Sequence, residues 1–292
     1  MRILVFGRTG QLATELARRP WSPGIEPIFL GRGDVDVGDP RAVKAVLADR
    51  AADLVINAAA YTAVDRAETD IEAAMAVNRD GPMAMAEACT GRGVPLFHVS
   101  TDYVFDGTKS TPYREDDRIA PLGVYGRSKA EGELAVRSAL THHIIMRTAW
   151  VYAAHGHNFV RTMLRLAAER PELRVVADQW GSPTAAAEVA MALHLLAERY
   201  RRDGVLAWGT YHFTGQGETT WHGFAERILD LAAPKLGKRP VVHAIATKDY
   251  PTPARRPANA RLDGTKITAT FGITARPWPA ALADVIAALL PS

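Results

Sequence analysis

Tyr125 and Lys129 stand four apart in V-Y-G-R-S-K-A-E-G-E, and Thr101 lies upstream at the end of the apolar run L-F-H-V-S. On a helix, a spacing of four puts two side chains on one face, so the ammonium of Lys129 approaches the phenol of Tyr125. A free tyrosine titrates at about 10, and a nearby cation favours the phenolate by about 1.4 kcal/mol for each pH unit of displacement. That proximity would make the phenol a usable general acid. Taken alone, the same pair on a solvated helix face is an exposed stripe without chemistry.

What changes the balance is the N-terminus. Arg2 to Phe6 (R-I-L-V-F) reads as a short buried strand that runs straight into G-R-T-G-Q-L-A and a helical stretch. Gly7 and Gly10 let the backbone bend and let a pyrophosphate approach, with backbone N–H groups and the helix N-terminus supplying positive potential. The third small residue is Ala13, so the pattern is G-x-x-G-x-x-A, not the G-x-G-x-x-G of ordinary dehydrogenases. This spacing points to short-chain dehydrogenases.

Composition agrees with an enzyme of this kind. The chain has 292 residues, 48% of them hydrophobic, enough for one large α/β domain or one domain with a smaller lobe. Its 35 basic and 32 acidic residues are interspersed for a net charge of +3, so no basic stripe argues for DNA or RNA. The single cysteine, Cys89, excludes an internal disulfide framework and reads as a packing residue near a helix end. No signal peptide is apparent, and no run approaches the roughly 20 apolar residues that span a bilayer. The expected setting is the reducing cytoplasm, with no membrane partner.

Strand-like and helical runs alternate: Ile3–Phe6, a helix through Leu12–Arg19, Pro27–Leu30, a helix through Arg41–Asp49, then Leu54–Asn57. The alternation continues through Ile71–Gly91, Leu96–Ser100, Ser128–Leu140 and Ile144–Met146. Repeated strand–helix units predict a Rossmann-type α/β fold, a doubly wound parallel sheet with helices on both faces. Ligands in such sheets bind at the carboxyl ends of the strands, where Gly7–Gly10, Asn57–Tyr61, Thr101 and Arg147–Trp150 would gather. Past residue 147 the pattern loosens, with a helix through Thr184–Tyr200, a strand at Tyr211–Phe213 and a proline-rich stretch Tyr250–Pro257. Residues 1–147 and 186–213 are expected to form the dinucleotide-binding domain, and 148–185 with 214–292 a smaller C-terminal substrate-binding lobe.

The residues at this point match a known family. The chain resembles the extended short-chain dehydrogenases and, among them, the dTDP-4-dehydrorhamnose reductases. The likeness runs through F-G-R-T-G-Q-L (6–12), V-I-N-A-A-A-Y-T-A-V-D-R-A-E (55–68), S-T-D-Y-V-F-D-G (100–107), P-L-G-V-Y-G-R-S-K (121–129), R-T-A-W-V-Y (147–152), D-Q-W-G-S-P-T (178–184), Y-H-F-T-G (211–215) and R-P-A-N-A-R-L-D (256–263). The resemblance implies reduction of the 4-keto group of a nucleotide-linked 6-deoxysugar. Thr101 would bond the substrate carbonyl, Tyr125 would protonate the new alkoxide, and Lys129 would bind the nicotinamide ribose while holding the phenol's pKa down.

The same resemblance places Gly7, Arg8, Thr9, Gly10, Gln11, Leu12, Asp36, Val37, Asn57, Ala58, Ala59 and Ala60 beside the cofactor. It places Tyr61, Thr62, Val64, Asp102, Tyr103, Trp150, Gln179 and Arg256 beside the nucleotide-sugar substrate, with Arg256 facing the diphosphate. The second strand ends L-G-R-G where NAD-selective enzymes carry an acid, so Arg32, with Arg8, is expected to neutralise the 2′-phosphate of NADPH; NADH remains an alternative donor. Arg32 as a solvated loop cation is the competing reading.

His155, His157, His142 and His143 lack metal-ligand spacing and read as surface residues, so no protein metal site is expected. Some relatives use glutamates for a magnesium-linked homodimer, and Glu15 and Glu188 occupy comparable places. The tail lacks a third glutamate, which leaves magnesium open. Two alternatives stay beside the reductase. One is an epimerase or dehydratase, which would carry Asp-Glu after Thr101 where this chain has Asp102-Tyr103. The other is a non-catalytic NADP-binding regulatory subunit of the same fold.

Overall fold

The computed structural model describes residues 1–291. Five strands, β1 (Arg2–Phe6), β2 (Glu26–Leu30), β3 (Leu54–Asn57), β4 (Leu96–Thr101) and β5 (His143–Thr148), join a sixth at Gly209–His212. Their spatial order is Gly209–His212, β5, β4, β3, β1, β2, and every pairing is parallel. The order reverses between β1 and β3, the crevice where doubly wound sheets bind dinucleotides.

Both faces are covered, which is why β1, β3 and β5 are continuous apolar runs and do not alternate. Helix α1 (Gln11–Arg18) and helix Ala186–Asp203 cover one face, where Leu12, Leu16, Val189, Leu193 and Leu196 pack on Ile3, Val5, Leu54 and Ile56. Helix α2 (Pro40–Asp49) and helices Gly81–Thr90 and Val124–Ala139 cover the other, where Val43, Leu47, Met85 and Val136 meet Leu4, Phe6, Val55 and Ile145. Fully burying one such side chain contributes about 1.5–3 kcal/mol, so these two seams hold the strand ends rigid beneath the site. Cys89 is buried in the second seam, and burial pushes its thiol up to about 12.

The stretch expected as one helix over Ile71–Gly91 is interrupted by a π turn at Ala76–Asp80. Such turns recur at functional sites. Here it carries Asn78, whose side chain reaches Tyr61 and Ser128. The helix bearing Tyr125 begins at Val124 and not at Ser128, because Glu68 Oε1 accepts the Val124 N–H at 2.8 Å and satisfies its first turn. Both Tyr125 and Lys129 therefore lie on it.

Beyond β5, a further hydrophobic cluster gathers Tyr152, Val160, Met163, Leu173, Phe224, Ile228, Trp278, Leu282 and Ile286. It is built by helices Phe159–Glu169, Trp221–Leu236 and Trp278–Leu289 with the paired strands Glu172–Val176 and Val241–Ile245. The helix expected from Thr184 starts at Ala186, after a two-residue strand at Thr184–Ala185.

Candidate active site

The glycine turn leaves β1 at Gly7 with φ of 123°, a conformation that favours glycine. A Cβ there would also stand 3.3 Å from Ala13 Cβ and 3.4 Å from the Ala58 carbonyl carbon. Gly10 is different. Its φ of −68° is ordinary, so the expected need to bend does not hold there; instead, a Cβ at Gly10 meets nothing within 4 Å, and no side chain caps α1. The result is an open helix N-terminus with unpaired N–H donors, a ready anion site.

Around this turn, Arg8 Nη2 donates to the Phe29 carbonyl at 2.6 Å and lies 3.0 Å from Asp34. Arg32 is exposed and has no ion pair among the described residues. Thr9 is exposed, whereas the Leu12 side chain faces the core, leaving only its backbone to the turn. Gln11 Oε1 accepts from Asn158 Nδ2 at 2.9 Å, and its carbonyl lies 3.1 Å from His155 Nε2. The loop after β5 thus rests on the phosphate turn. Asp36 Oδ1 accepts the Gly38 N–H, and the Val37 carbonyl presses so closely that a Cβ on Gly81 would sit 2.3 Å away.

Thr101 ends β4, and its hydroxyl donates to Asp102 Oδ1 at 3.0 Å while accepting the Tyr103 N–H at 3.3 Å. The Tyr125 phenol meets the Thr101 side chain, and the Tyr103 ring stands edge-on to it with centroids 5.3 Å apart. Burial pushes the Tyr125 phenol up to about 12, the Thr101 hydrogen bond opposing and the Asp102 charge adding to the rise. Burial also lifts Asp102 to about 7, against the Thr101 bond. Tyr103 is raised by burial and Asp102.

The expected coupling of Lys129 to Tyr125 is not what the structure contains. Lys129 Nζ donates to the Val99 carbonyl at 2.7 Å and lies 3.4 Å from His98 Nε2. Burial lowers the ammonium to about 8, with Glu133 opposing. In this arrangement the phenol is governed by desolvation, which favours the neutral form.

Behind these groups lies a polar layer that sequence reasoning passed over. His98, fully buried within the apolar run of β4, lies 3.0 Å from Asn57 Nδ2. Glu133, one turn beyond Lys129, takes Arg147 Nε at 2.8 Å and Nη2 at 2.7 Å and also Arg137 at 3.0 Å. Those cations hold its carboxyl below the ordinary range despite burial. Arg147 reaches His212 as well, whose imidazole burial and the Arg147 charge lower to about 3. The signal available in sequence was a charged or polar residue inside an apolar period.

Ala58, Ala59 and Ala60 follow β3 as half-buried small residues, while the Asn57 side chain turns inward to His98 and the Ala59 N–H. Tyr61 is held by Asn78 through its backbone and donates its hydroxyl to Asp70 at 3.1 Å; Thr62 is exposed and Val64 half-buried. Trp150 has φ of +50°, a strained value for a large side chain, and its ring stacks on Trp221 at 3.6 Å. Gly181 lies against that ring, where a Cβ would come within 2.3 Å. Gln179 Nε2 donates to Thr247 at 3.0 Å, and Arg256 is engaged by Asp65 through two bonds of 3.0 and 2.8 Å. Both side chains are thus anchored by protein partners.

Glu15 sits beside Arg18 and 3.4 Å from His155, and Glu188 is taken by Arg276 at 2.8 Å. His143, expected at the surface, is buried with Nδ1 against the Leu140 carbonyl.

The residues fit a dinucleotide: a glycine turn, an uncapped helix end and free space where a Cβ at Gly10 would be. Two buried oxygens at the same sheet edge, Asp102 Oδ2 and Thr148 Oγ1, also have no hydrogen-bond partner among the described residues, and a bound ligand would satisfy them. The model of the family described as RmlD substrate binding domain matches residues 1–290. The chain belongs to this family. A dTDP-4-dehydrorhamnose reductase of Sinorhizobium fredii is 46% identical over 291 residues, 99% of this chain and 98% of its own length. Among solved structures, a dTDP-4-dehydrorhamnose reductase of Clostridium acetobutylicum superposes with a TM-score of 0.91 at 34% identity, covering 98% of each chain. One from Bacillus anthracis in complex with NADP does so at 0.89 and 31%, covering 97% of this chain and 98% of its own. A UDP-glucose 4-epimerase of Thermus thermophilus, at 21% identity and a TM-score of 0.80, shares the fold.

Proposed function

We propose that this chain reduces the 4-keto group of dTDP-4-dehydro-6-deoxy-L-mannose to dTDP-L-rhamnose with NADPH, as a soluble nucleotide-sugar ketoreductase. The observation that carries the reading is the meeting of Thr101 and Tyr125 at the carboxyl edge of β4, backed by Lys129 and one sheet position from the glycine-turn crevice. Family membership and the close relatives support it.

In this reading residues 1–147 and 186–213 hold the cofactor and the remainder holds the sugar nucleotide. The Gly7–Gly10 turn, the α1 N-terminus, Asn57–Ala60, Arg8 and Arg32 would hold NADPH, which supplies a hydride. The chain's own residues manage the proton. Thr101, its hydrogen given to Asp102, keeps oxygen lone pairs that orient the phenol, and on substrate binding it turns its donor to the carbonyl. The carbonyl π bond breaks as carbon gains hydride, and Tyr125 gives its proton to the resulting oxygen, leaving a phenolate. Tyr103 and Trp150 shield this step from water. The Tyr103 side chain stands where a dehydratase would carry a second carboxyl, so no base is placed for elimination.

The test is loss of NADPH absorbance with the enzymatically prepared dTDP-4-keto sugar. Wild type turns over, and Tyr125→Phe lowers kcat by about 10²–10⁴-fold while binding NADPH as before. Tight NADPH binding with no turnover on any dTDP-keto sugar would leave the regulatory-subunit reading instead.

A further inference from the structure

Among the described residues, Trp150 alone has a left-handed backbone without being glycine, at φ of +50°. Glycine would take this turn freely, and a residue as bulky as tryptophan holds it only where its surroundings over-determine it. The turn lies where the chain leaves the large sheet. β5 ends at Thr148, and Val151–Tyr152 then pairs in parallel with Thr184–Ala185, the Trp150 carbonyl accepting the Thr184 N–H at 3.2 Å.

A slot receives the indole. Trp180–Gly181 and Thr219–Thr220 form a short antiparallel ladder with Thr219 opposite Gly181. Trp221 follows at once as the first residue of its helix, which Thr220 caps by accepting the Gly223 N–H at 3.1 Å. The Trp221 and Trp150 rings lie 3.6 Å apart between centroids, with their planes 11° from parallel. Aromatic pairs left to themselves prefer offset or edge-on geometries at about 4.5–7 Å, so this near-overlap is imposed by the backbone on either side. Phe159 packs on Trp221 in turn, at 4.7 Å. At the ring's edge, a Cβ on Gly181 would come within 2.3 Å of Trp150 Cε2, 2.6 Å of Cζ2 and 2.7 Å of Nε1. Gly181 itself is not left-handed, so it is the indole that requires glycine there.

Resting on the reductase reading above, we propose that Trp221 and Gly181 are positioning residues for the keto sugar, holding the Trp150 indole in one orientation as an apolar wall of the sugar pocket. The strand register supports that location. Thr101 pairs with Thr148, so Trp150 stands two residues beyond the neighbour of the carbonyl-binding hydroxyl. The ring packs both on the lobe cluster of Tyr152 and Phe224 and on the smaller cluster of Val104 and Phe105, yet it is only half-buried. Its open part offers the C–H face of a deoxyhexose an apolar surface. A ring fixed in advance gives that contact without the entropic cost of ordering it when the sugar arrives.

The test is steady-state kinetics with NADPH and the dTDP-4-keto sugar, with thermal unfolding alongside. Gly181→Ala and Trp221→Leu, 40 positions apart, should each raise KM for the sugar about tenfold while KM for NADPH stays within about twofold. Trp221→Phe, which keeps a ring in the slot, should stay within about threefold of wild type. Trp221 is also part of the lobe core, so Gly181→Ala carries the test should Trp221→Leu melt early. The decisive background is Trp150→Gly, which removes the ring and leaves the new Cβ nothing to meet. Adding Gly181→Ala to it should raise KM no further. A sugar KM unmoved by Gly181→Ala, or the same rise in the Trp150→Gly background, overturns the proposal. Both results are read against a wild type that turns over, so they leave the reductase reading standing.

Discussion

Asp102 gives the sharpest test of how burial sets this site. Its carboxyl is 2% exposed, one oxygen takes the Thr101 hydroxyl, and the other has no partner among the described residues. Holding the group at about 7 against an ordinary 3.8 costs the ionised form about 4 kcal/mol. The folded value is raised, so the associated stability is full below 3.8 and is lost as pH rises through about 7. Between pH 5 and pH 8 this one group removes about 2–3 kcal/mol from the folded state.

Asp102→Asn keeps the acceptor for Thr101 and deletes the titration. Its amide leaves an unpartnered N–H₂ that costs about 1–3 kcal/mol at every pH. By pH 5 wild type has already lost about 2 kcal/mol and by pH 8 about 4, so the variant should melt near wild type at pH 5 and above it at pH 8. The gap in Tm between the two proteins should change by about 5 °C over that range. Thermal unfolding followed by circular dichroism, without cofactor, reads it, and other titrating groups cancel in the difference. A gap that is the same at both pH values refutes the assignment of a desolvated, high-titrating carboxyl.

Three further outcomes follow from particular contacts. Arg32→Ala should raise KM for NADPH about tenfold while leaving NADH within twofold, since an exposed, unpaired guanidinium is available to a 2′-phosphate; equal losses with both cofactors would remove it from that role. Glu133→Gln leaves Arg147 buried without its counter-charge and should cost about 3–5 kcal/mol in urea unfolding. Gly132→Ala drives a Cβ to within 2.0 Å of the Asn78 carbonyl, and should cost about 1–3 kcal/mol and loosen Tyr61, seen as a raised substrate KM.

The first five strands of the parallel sheet were legible because each is largely an apolar run bounded by helical periods, and L-V-I-N matched residue for residue; the sixth, expected at Tyr211–Phe213, lies at Gly209–His212, where G-T-Y-H is no apolar run. The phosphate turn and the tyrosine–lysine spacing, both local patterns, were legible too. What escaped was whatever depends on distant partners. His98 reads as one polar letter in L-F-H-V-S, and only the folded chain brings it to Asn57, 41 residues away. Glu133 reads as a surface acid until Arg147 arrives from the next strand. The second half lost its period because its strands at Val151–Tyr152, Trp180–Gly181, Thr184–Ala185 and Thr219–Thr220 have two residues each, too short to show alternation.

The most instructive departure is the phenol. The one-turn spacing predicted a cation that lowers Tyr125, yet the folded site raises it, because burial dominates and the Asp102 charge adds to it, while Lys129 turns one N–H to the Val99 carbonyl. For a reductase this is no handicap. The acceptor is an alkoxide far more basic than any phenol, so proton transfer runs downhill from Tyr125 at about 12, and a high value keeps the acid fully loaded across neutral pH. Reloading is no difficulty either, since a phenolate that strongly basic takes up a proton readily. Lys129, lowered to about 8 by the same burial, keeps its bond to the Val99 carbonyl. One dry environment thus raises the phenol and lowers the ammonium together, and it is desolvation, not the cation one turn away, that keeps the acid loaded.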